Sequence, residues 1–308
     1  MHLKLSKFLI AFAFTCNIAN AEILFKDSFE SGDFSTSSAE VNSINLSYSY
    51  NRTGVVTQDG DKSTMVYPVL FTRSDTQNWA AKTGNYSLLF DHSAGVNMSE
   101  HRFSFDKPQI DIWLRYWIRV PTNYSHGIGG GGGPTNNKFL ALWSDGYSQA
   151  GQGSTFWLSL ENAGNGNSNL AFTNSIGYGN ASQAMEQHTA FIDSANDRGR
   201  WMQMVIHLVA ETSDGASDGV IQTWRRWENE SDFTKLHDSN NRRLRIPPDG
   251  PNGFSAGYLM GWANGTYSES TFWLIDDFTI ANTSLLTISS KSPAIPPPAF
   301  GAKENEVL

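Results

Sequence analysis

Residues 110–120, IDIWLRYWIRV, constrain the fold most. The run is rich in β-branched and aromatic residues, which suit a pleated surface. Side chains alternate across a strand. Ile112, Leu114, Tyr116, Ile118 and Val120 therefore share one face, and Trp113, Arg115, Trp117 and Arg119 share the other. The first row belongs between two packed sheets. The second is a strip of alternating indoles and guanidiniums.

Further strand signals follow at 140–143, 155–160, 201–210, 219–227, 257–262 and 271–280, separated by Gly, Asn, Asp and Ser clusters. A short helix is expected only within 181–195. Many short strands punctuated by turns point to a sandwich or barrel. No composition break falls between residues 23 and 281, and no internal repeat is visible, so one domain over 22–281 is expected. The glycine run at 127–134, GIGGGGGP, lacks the Lys-Ser/Thr ending of a phosphate loop and reads as a flexible connection.

The ends read differently. Lys4 and Lys7, the apolar stretch 8–14 and Ala19-Asn20-Ala21 make residues 1–21 an export signal, whose apolar stretch is too short to span a bilayer. The expected location is therefore extracellular or periplasmic, without membrane insertion. Cys16, the only cysteine, leaves with that segment, so disulfide, thiolate and zinc–cysteine chemistry are excluded from the remainder. Residues 282–308, with Pro296-Pro297-Pro298, read as a disordered Ser/Pro-rich tail.

The chain carries a net charge of −8, and its leader holds two lysines and no acid, so the rest is more acidic still. That speaks against nucleic acid as a partner. Charged residues are only 17%, yet there are ten tryptophans. Indole faces stack on sugar rings, and arginine forks bind carboxylate or sulfate.

The Trp113–Arg119 strip is thus a candidate groove for an acidic polysaccharide. The bland alternative is a second aromatic layer edged by arginine. In 201–210, Met202, Met204, Ile206 and Leu208 form an apolar face, with Trp201, Gln203, Val205 and His207 opposite. His207 is a candidate base because its pKa lies near neutrality. In 219–227, Val220, Gln222, Trp224 and Arg226 share one face, and Arg225 and Trp227 the other. Which of these looks into a groove is not set by parity. Arg242, Arg243 and Arg245 read as a solvated loop.

These pieces together resemble a known family. FKDSFESGDF (25–34), WLRYWIRVP (113–121), NKFLALWSD (137–145), GRWMQMVIHL (199–208), DGVIQTW (218–224) and WLIDDFTI (273–280) are similar in kind and order to the concanavalin A-like superfamily. Within it, the likeness is to polysaccharide-lyase domains of the heparin-lyase and glucuronan-lyase type. The resemblance implies an all-β, two-sheet antiparallel jelly-roll sandwich. Where relatives turn tightly on Asp-Gly after the fifth piece, this chain runs on through Arg225-Arg226-Trp227-Glu228.

The likeness also implies a structural calcium between the first and last strands, matched here by Glu30, Asp276 and Asp277, and no organic cofactor. It further implies cleavage of a uronic-acid polysaccharide by β-elimination, expected of a monomer. A cation or amide neutralises the uronate, a base removes the C5 proton, and an acid serves the leaving oxygen. Arg115 and Lys138 are the candidate neutralisers, with Gln203 as amide partner; His207 and Tyr258 are candidate base or acid. Trp143, Trp224 and Trp262 are candidate sugar platforms beside Trp113, Trp117, Arg119 and Arg226. A hydrolase needs paired carboxylates. The Glu-x-Asp-x-x-Glu strand motif is absent from the sequence. A non-catalytic carbohydrate-binding domain is the remaining alternative.

Overall fold

The computed structural model describes residues 23–31, 39–41, 57–58, 61–62, 66–70, 81–84, 86–92, 94–95, 98–126, 136–144, 154–176, 186–244, 253–263 and 265–287. The export signal, the glycine run and all but the first residues of the tail lie outside them. In chain order the strands are β1 Ile23–Asp27, β2 Ala39–Val41, β3 Thr57–Gln58, β4 Asp61–Lys62, β5 Val66–Leu70, β6 Tyr86–His92, β7 Met98–Gln109 and β8 Asp111–Arg119. They continue as β9 Asn136–Trp143, β10 Ser154–Gly164, β11 Asn167–Ile176, β12 Glu186–Ile192, β13 Trp201–Val209, β14 Gly219–Trp227, β15 Thr234–Arg242, β16 Phe254–Trp262 and β17 Thr271–Ala281.

Two large antiparallel sheets result among the described residues, beside the small β3-β4 pair. One runs β15-β14-β13-β8-β17-β1-β2, with β6 also on β17 and β5 on β6; the other runs β12-β11-β10-β9-β16-β7. This is a two-sheet jelly-roll sandwich, as the sequence led us to expect. Strand β14 runs on through Trp227.

The apolar row of β8 does face inward. Ile112, Leu114, Tyr116, Ile118 and Val120 join Met202, Met204, Ile206 and Leu208 of β13 in one core with Phe139, Leu142, Phe156, Leu158 and Phe172 of the other sheet. Burying each such side chain contributes about 1.5–3 kcal/mol, so alternation along the strands sets which face is inner.

The helix expected within 181–195 is not formed among the described residues. Glu186–Ile192 pairs instead with β11, for example Phe172 with Glu186 and Leu170 with His188. A free sheet edge overrode the local preference of this segment. The reading of Arg242 and Arg243 as a solvated loop is also corrected. Arg242 closes β15, its Nη2 donating to Ser239 Oγ (3.0 Å). Arg243 pairs with Glu211 (3.5 Å) and Asp214 (3.0 Å). Arg245 lies outside the described residues.

Candidate substrate face

The two outer faces of the sandwich are built differently. On the nine-stranded sheet, Trp113 stacks on His207 (centroids 3.9 Å apart) and on Trp224 (5.6 Å). Leu285 and Leu286, just past β17, pack on the same cluster. Lys82 lies over Trp117 at 4.5 Å and Arg226 at 5.1 Å.

Every polar member of the strip is engaged. Arg115 donates to the Leu285 carbonyl (3.0 Å) and Arg119 to the Gly199 carbonyl (3.0 Å). Gln203 Oε1 accepts from Arg226 Nε (2.9 Å). His207 holds Gln222 Oε1 on one ring nitrogen and Asp111 Oδ1 on the other, both at 2.9 Å, so neither faces a ligand. Arg119, Trp117, Trp113 and Trp224 are buried, as Trp143 and Tyr258 of the other sheet also are; what closes this strip is that its polar groups are spent within the protein. The strip is a second aromatic layer, with guanidiniums lying on indole faces. The expected groove across Trp113, Arg115, Trp117, Arg119, Gln203, His207, Trp224 and Arg226 is corrected accordingly.

The outer face of the six-stranded sheet is built otherwise. An extra residue at Phe139 breaks register between β9 and β10: Leu140 pairs with Leu158, but Lys138 pairs with Ser159. Both Phe139 and Leu140 then enter the core, and Lys138 keeps its place on the outer face. Further along, Ala141, Trp143 and Tyr258 form a separate outer cluster, with Trp157 and Ala256 against it. Registers put Arg102, Tyr258, Ala141 and Trp157 in one cross-strand row over β7, β16, β9 and β10.

The Trp143 and Tyr258 rings sit 5.9 Å apart over small residues. Tyr258 leans along its strand toward Gly261, whose φ is +145° and whose Cβ, were one present, would lie 2.6 Å from the ring. Only glycine permits this approach. The lean carries the phenol toward Lys138, since β9 runs antiparallel to β16. Trp262 is half-buried at the end of β16, beside this bend.

Charge on this face is concentrated at two places. Arg102 Nε meets Glu100 Oε1 at 2.5 Å. Burial pushes the Glu100 carboxyl up, and Arg102 opposes it. Burial pulls the Lys138 amine down, with Glu161 opposing. Burial likewise raises Glu161, which accepts a bond from Ser159 Oγ (3.1 Å).

The expected catalytic set is thus divided. Lys138 and Tyr258 share one outer face with Trp143. Arg115, Gln203 and His207 lie on the opposite side of the sandwich, a core's thickness away, and cannot meet the same sugar. Arg102, Glu100 and Trp157 were not among the expected residues. The alternation of Glu100, Arg102 and Ser104 with His101, Phe103 and Phe105 carries their signal.

The expected calcium ligands gather around the middle of β17. A bulge puts an extra residue between Asp276, opposite Trp117, and Thr279, opposite Arg115. Asp276 Oδ2 accepts from Lys82 N (2.9 Å), Thr83 N (3.2 Å) and Ser87 Oγ (2.8 Å), and Oδ1 from Asp277 N (2.8 Å). Glu30 Oε1 accepts from Tyr86 N (3.0 Å), and Asp277 Oδ2 from Thr83 Oγ1 (3.1 Å). Among the described residues no three metal-ligating side chains converge. Calcium draws six to eight oxygens with open lone pairs, and Asp276 is already filled by protein donors. The set does not fit a calcium cage; it fastens residues 82–87 to β17.

Neither a protein-family model nor a curated protein matches the chain. Among solved structures it is similar to alginate lyase Aly36B in complex with alginate trisaccharide, at 10% identity over 70% of this chain and 97% of that one, with a TM-score of 0.42. It is similar to alginate lyase vAL-1 from Chlorella virus at 8% identity, over 78% of this chain and 89% of that one, with a TM-score of 0.44. A legume lectin-like domain from Entamoeba histolytica matches at 6% identity over 66% and 86%, with a TM-score of 0.41. At these TM-scores the likenesses carry no argument; the fold and the face described above rest on the chain's own strands and side chains.

Proposed function

We propose that the protein is a polysaccharide lyase that cleaves an acidic, uronic-acid-containing chain on the outer face of its six-stranded sheet. One observation carries the reading. Arg102, Lys138 and Tyr258 stand on three successive strands of one face, with the half-buried Trp157 as the flanking sugar platform and the buried Trp143 packed against Tyr258. Export through the N-terminal segment belongs to the same proposal.

In this reading the substrate lies across the strands on the indoles. The uronate carboxylate takes the Arg102 guanidinium from Glu100. That exchange is eased because burial favours the neutral form of Glu100. Neutralising the carboxylate acidifies C5–H. Lys138, whose amine is more readily unprotonated than an exposed lysine's, removes that proton. The C5–H electrons form the C4=C5 double bond, the C4–O4 bond breaks, and Tyr258 protonates the departing O4. Proton return from Lys138 to the phenolate, directly or through water, resets the site.

The test is incubation with alginate, glucuronan, ulvan and heparin, following ultraviolet absorbance of the unsaturated product. A rise that Lys138→Ala, Tyr258→Phe and Arg102→Ala each abolish, and Arg115→Lys leaves intact, is the expected result. Retention on polysaccharide with no new chain ends would mean a binding domain. New reducing ends without unsaturation would overturn elimination.

A further inference from the structure

A polar cavity lies among the loops that carry Asn123, Arg198 and Tyr267, and shares no residue with the face just described. It measures about 280 Å³ and is lined by Asn123, Ser125, Arg198, Tyr267, Ser268, Glu269 and Thr271. That is just below the usual small-molecule range of about 300–1,000 Å³, so a single ring fits and an oligosaccharide does not.

Three loops form its walls, and hydrogen bonds hold them in place. Asn123 Nδ2 donates to the Ser270 carbonyl (3.0 Å), and Arg198 Nε to the Tyr124 carbonyl (2.6 Å). The amide of His126 donates to Gly166 O (2.9 Å), and Thr271 Oγ1 to Glu269 O (3.0 Å). Tyr267 is fixed from behind by Asn137 Nδ2 on its hydroxyl.

One group in this wall lacks a partner. Asn123 Oδ1 is buried without a hydrogen bond. Its orientation is not free, because rotating the amide would set oxygen against the Ser270 carbonyl. Asn123 Oδ1 is shielded from solvent as well, so a small opening of the wall would be needed to bring a ligand hydroxyl onto it, and the pairing so made would favour that opening. Around it stand the hydroxyls of Ser125, Ser268 and Thr271, the remaining Arg198 donors, the Glu269 acceptor and one tyrosine. Arg198 and Glu269 balance in charge.

We infer that this cavity is a second carbohydrate site, taking one neutral, hydroxyl-rich sugar ring. Mixed donors and acceptors match vicinal hydroxyls, and the balanced charge disfavours a uronate. The test is saturation-transfer NMR on the full chain with the methyl glycosides of glucose, galactose, mannose and xylose, and with glucuronate. At least one neutral glycoside binds, Ser268→Trp weakens it tenfold or more, and Lys138→Ala leaves it unchanged. Glu269→Gln shifts preference toward glucuronate, and this arm decides the matter if circular dichroism shows Ser268→Trp unfolded. Failure of all neutral glycosides, binding that survives a folded Ser268→Trp, or loss on Lys138→Ala overturns the inference. The lyase reading is tested separately, by product formation in variants on the sheet face; loss on Lys138→Ala would place the neutral sugar on that face instead.

Discussion

Replacing Asp276 by Asn tests how the bulged middle of β17 is held to Lys82, Thr83 and Ser87. The carboxyl is fully buried. Burial first, and then Asp277, push it up to about 8 from the ordinary 3.8, against the donors from Ser87, Thr83 and Lys82. Its folded value is therefore raised. Below about pH 4 both states hold the proton and the contribution to stability is complete. As pH rises from there toward 8, the unfolded chain releases its proton while the folded one keeps it, so stability falls. Each unit corresponds to about 1.4 kcal/mol, so the whole window is worth at most about 6 kcal/mol.

Asp276→Asn keeps the shape and the acceptor toward Ser87 but sets an NH2 against the Asp277 amide. That loss costs about 1–3 kcal/mol at every pH. Urea midpoints across about pH 4 to 9 measure both effects. Wild type should fall steeply, the variant should be flatter, and the variant should become the more stable near the top of the range. Parallel curves would refute the reasoning. Because Asp276 is filled by protein donors, calcium or a chelator should leave the wild-type midpoint in place. A calcium-dependent rise abolished by Asp276→Asn would contradict that arrangement.

Other substitutions separate the two outer faces. Trp113→Ala should destabilise by about 3–5 kcal/mol, read by thermal unfolding, and the folded fraction should bind polysaccharide normally. Trp157→Ala, on a half-buried indole, should cost little stability and weaken polysaccharide retention in affinity electrophoresis. Gly261→Ala should lower the melting temperature and the rate of unsaturated-product formation together, because its methyl displaces the Tyr258 ring. Glu100→Gln should lower the apparent KM for an acidic polysaccharide by releasing Arg102, a change that high salt removes.

The fold was legible because inward rows are long and apolar. Residues 112–120 and 202–208 alternate cleanly, and their partners across the core do the same. The site was legible only in part. Lys138, Tyr258 and Trp143 lie on strands the pattern finds, but pattern gives parity, not which sheet they join. The Trp113–Arg119 strip has the residue types of a sugar groove. The same types also close on one another, guanidinium over indole and histidine on tryptophan. What distinguishes the cases is Leu285 and Lys82 arriving from distant sequence, together with acceptors at Gly199 and Gln222. The Phe139 register shift that aims Lys138 outward depends on pairing with β10 and has no local signature. Arg102 was readable by alternation alone; the stronger apolar run that follows it drew the attention.

The central claim is that substrate meets the six-stranded sheet and not the strip on β8. Hydrogen–deuterium exchange with and without a uronic-acid oligosaccharide measures this directly, using Lys138→Ala to prevent turnover. Protection on β7, β9, β10 and β16, with β8, β13 and β14 unchanged, is the predicted result. Protection confined to β8, β13 and β14 would contradict it.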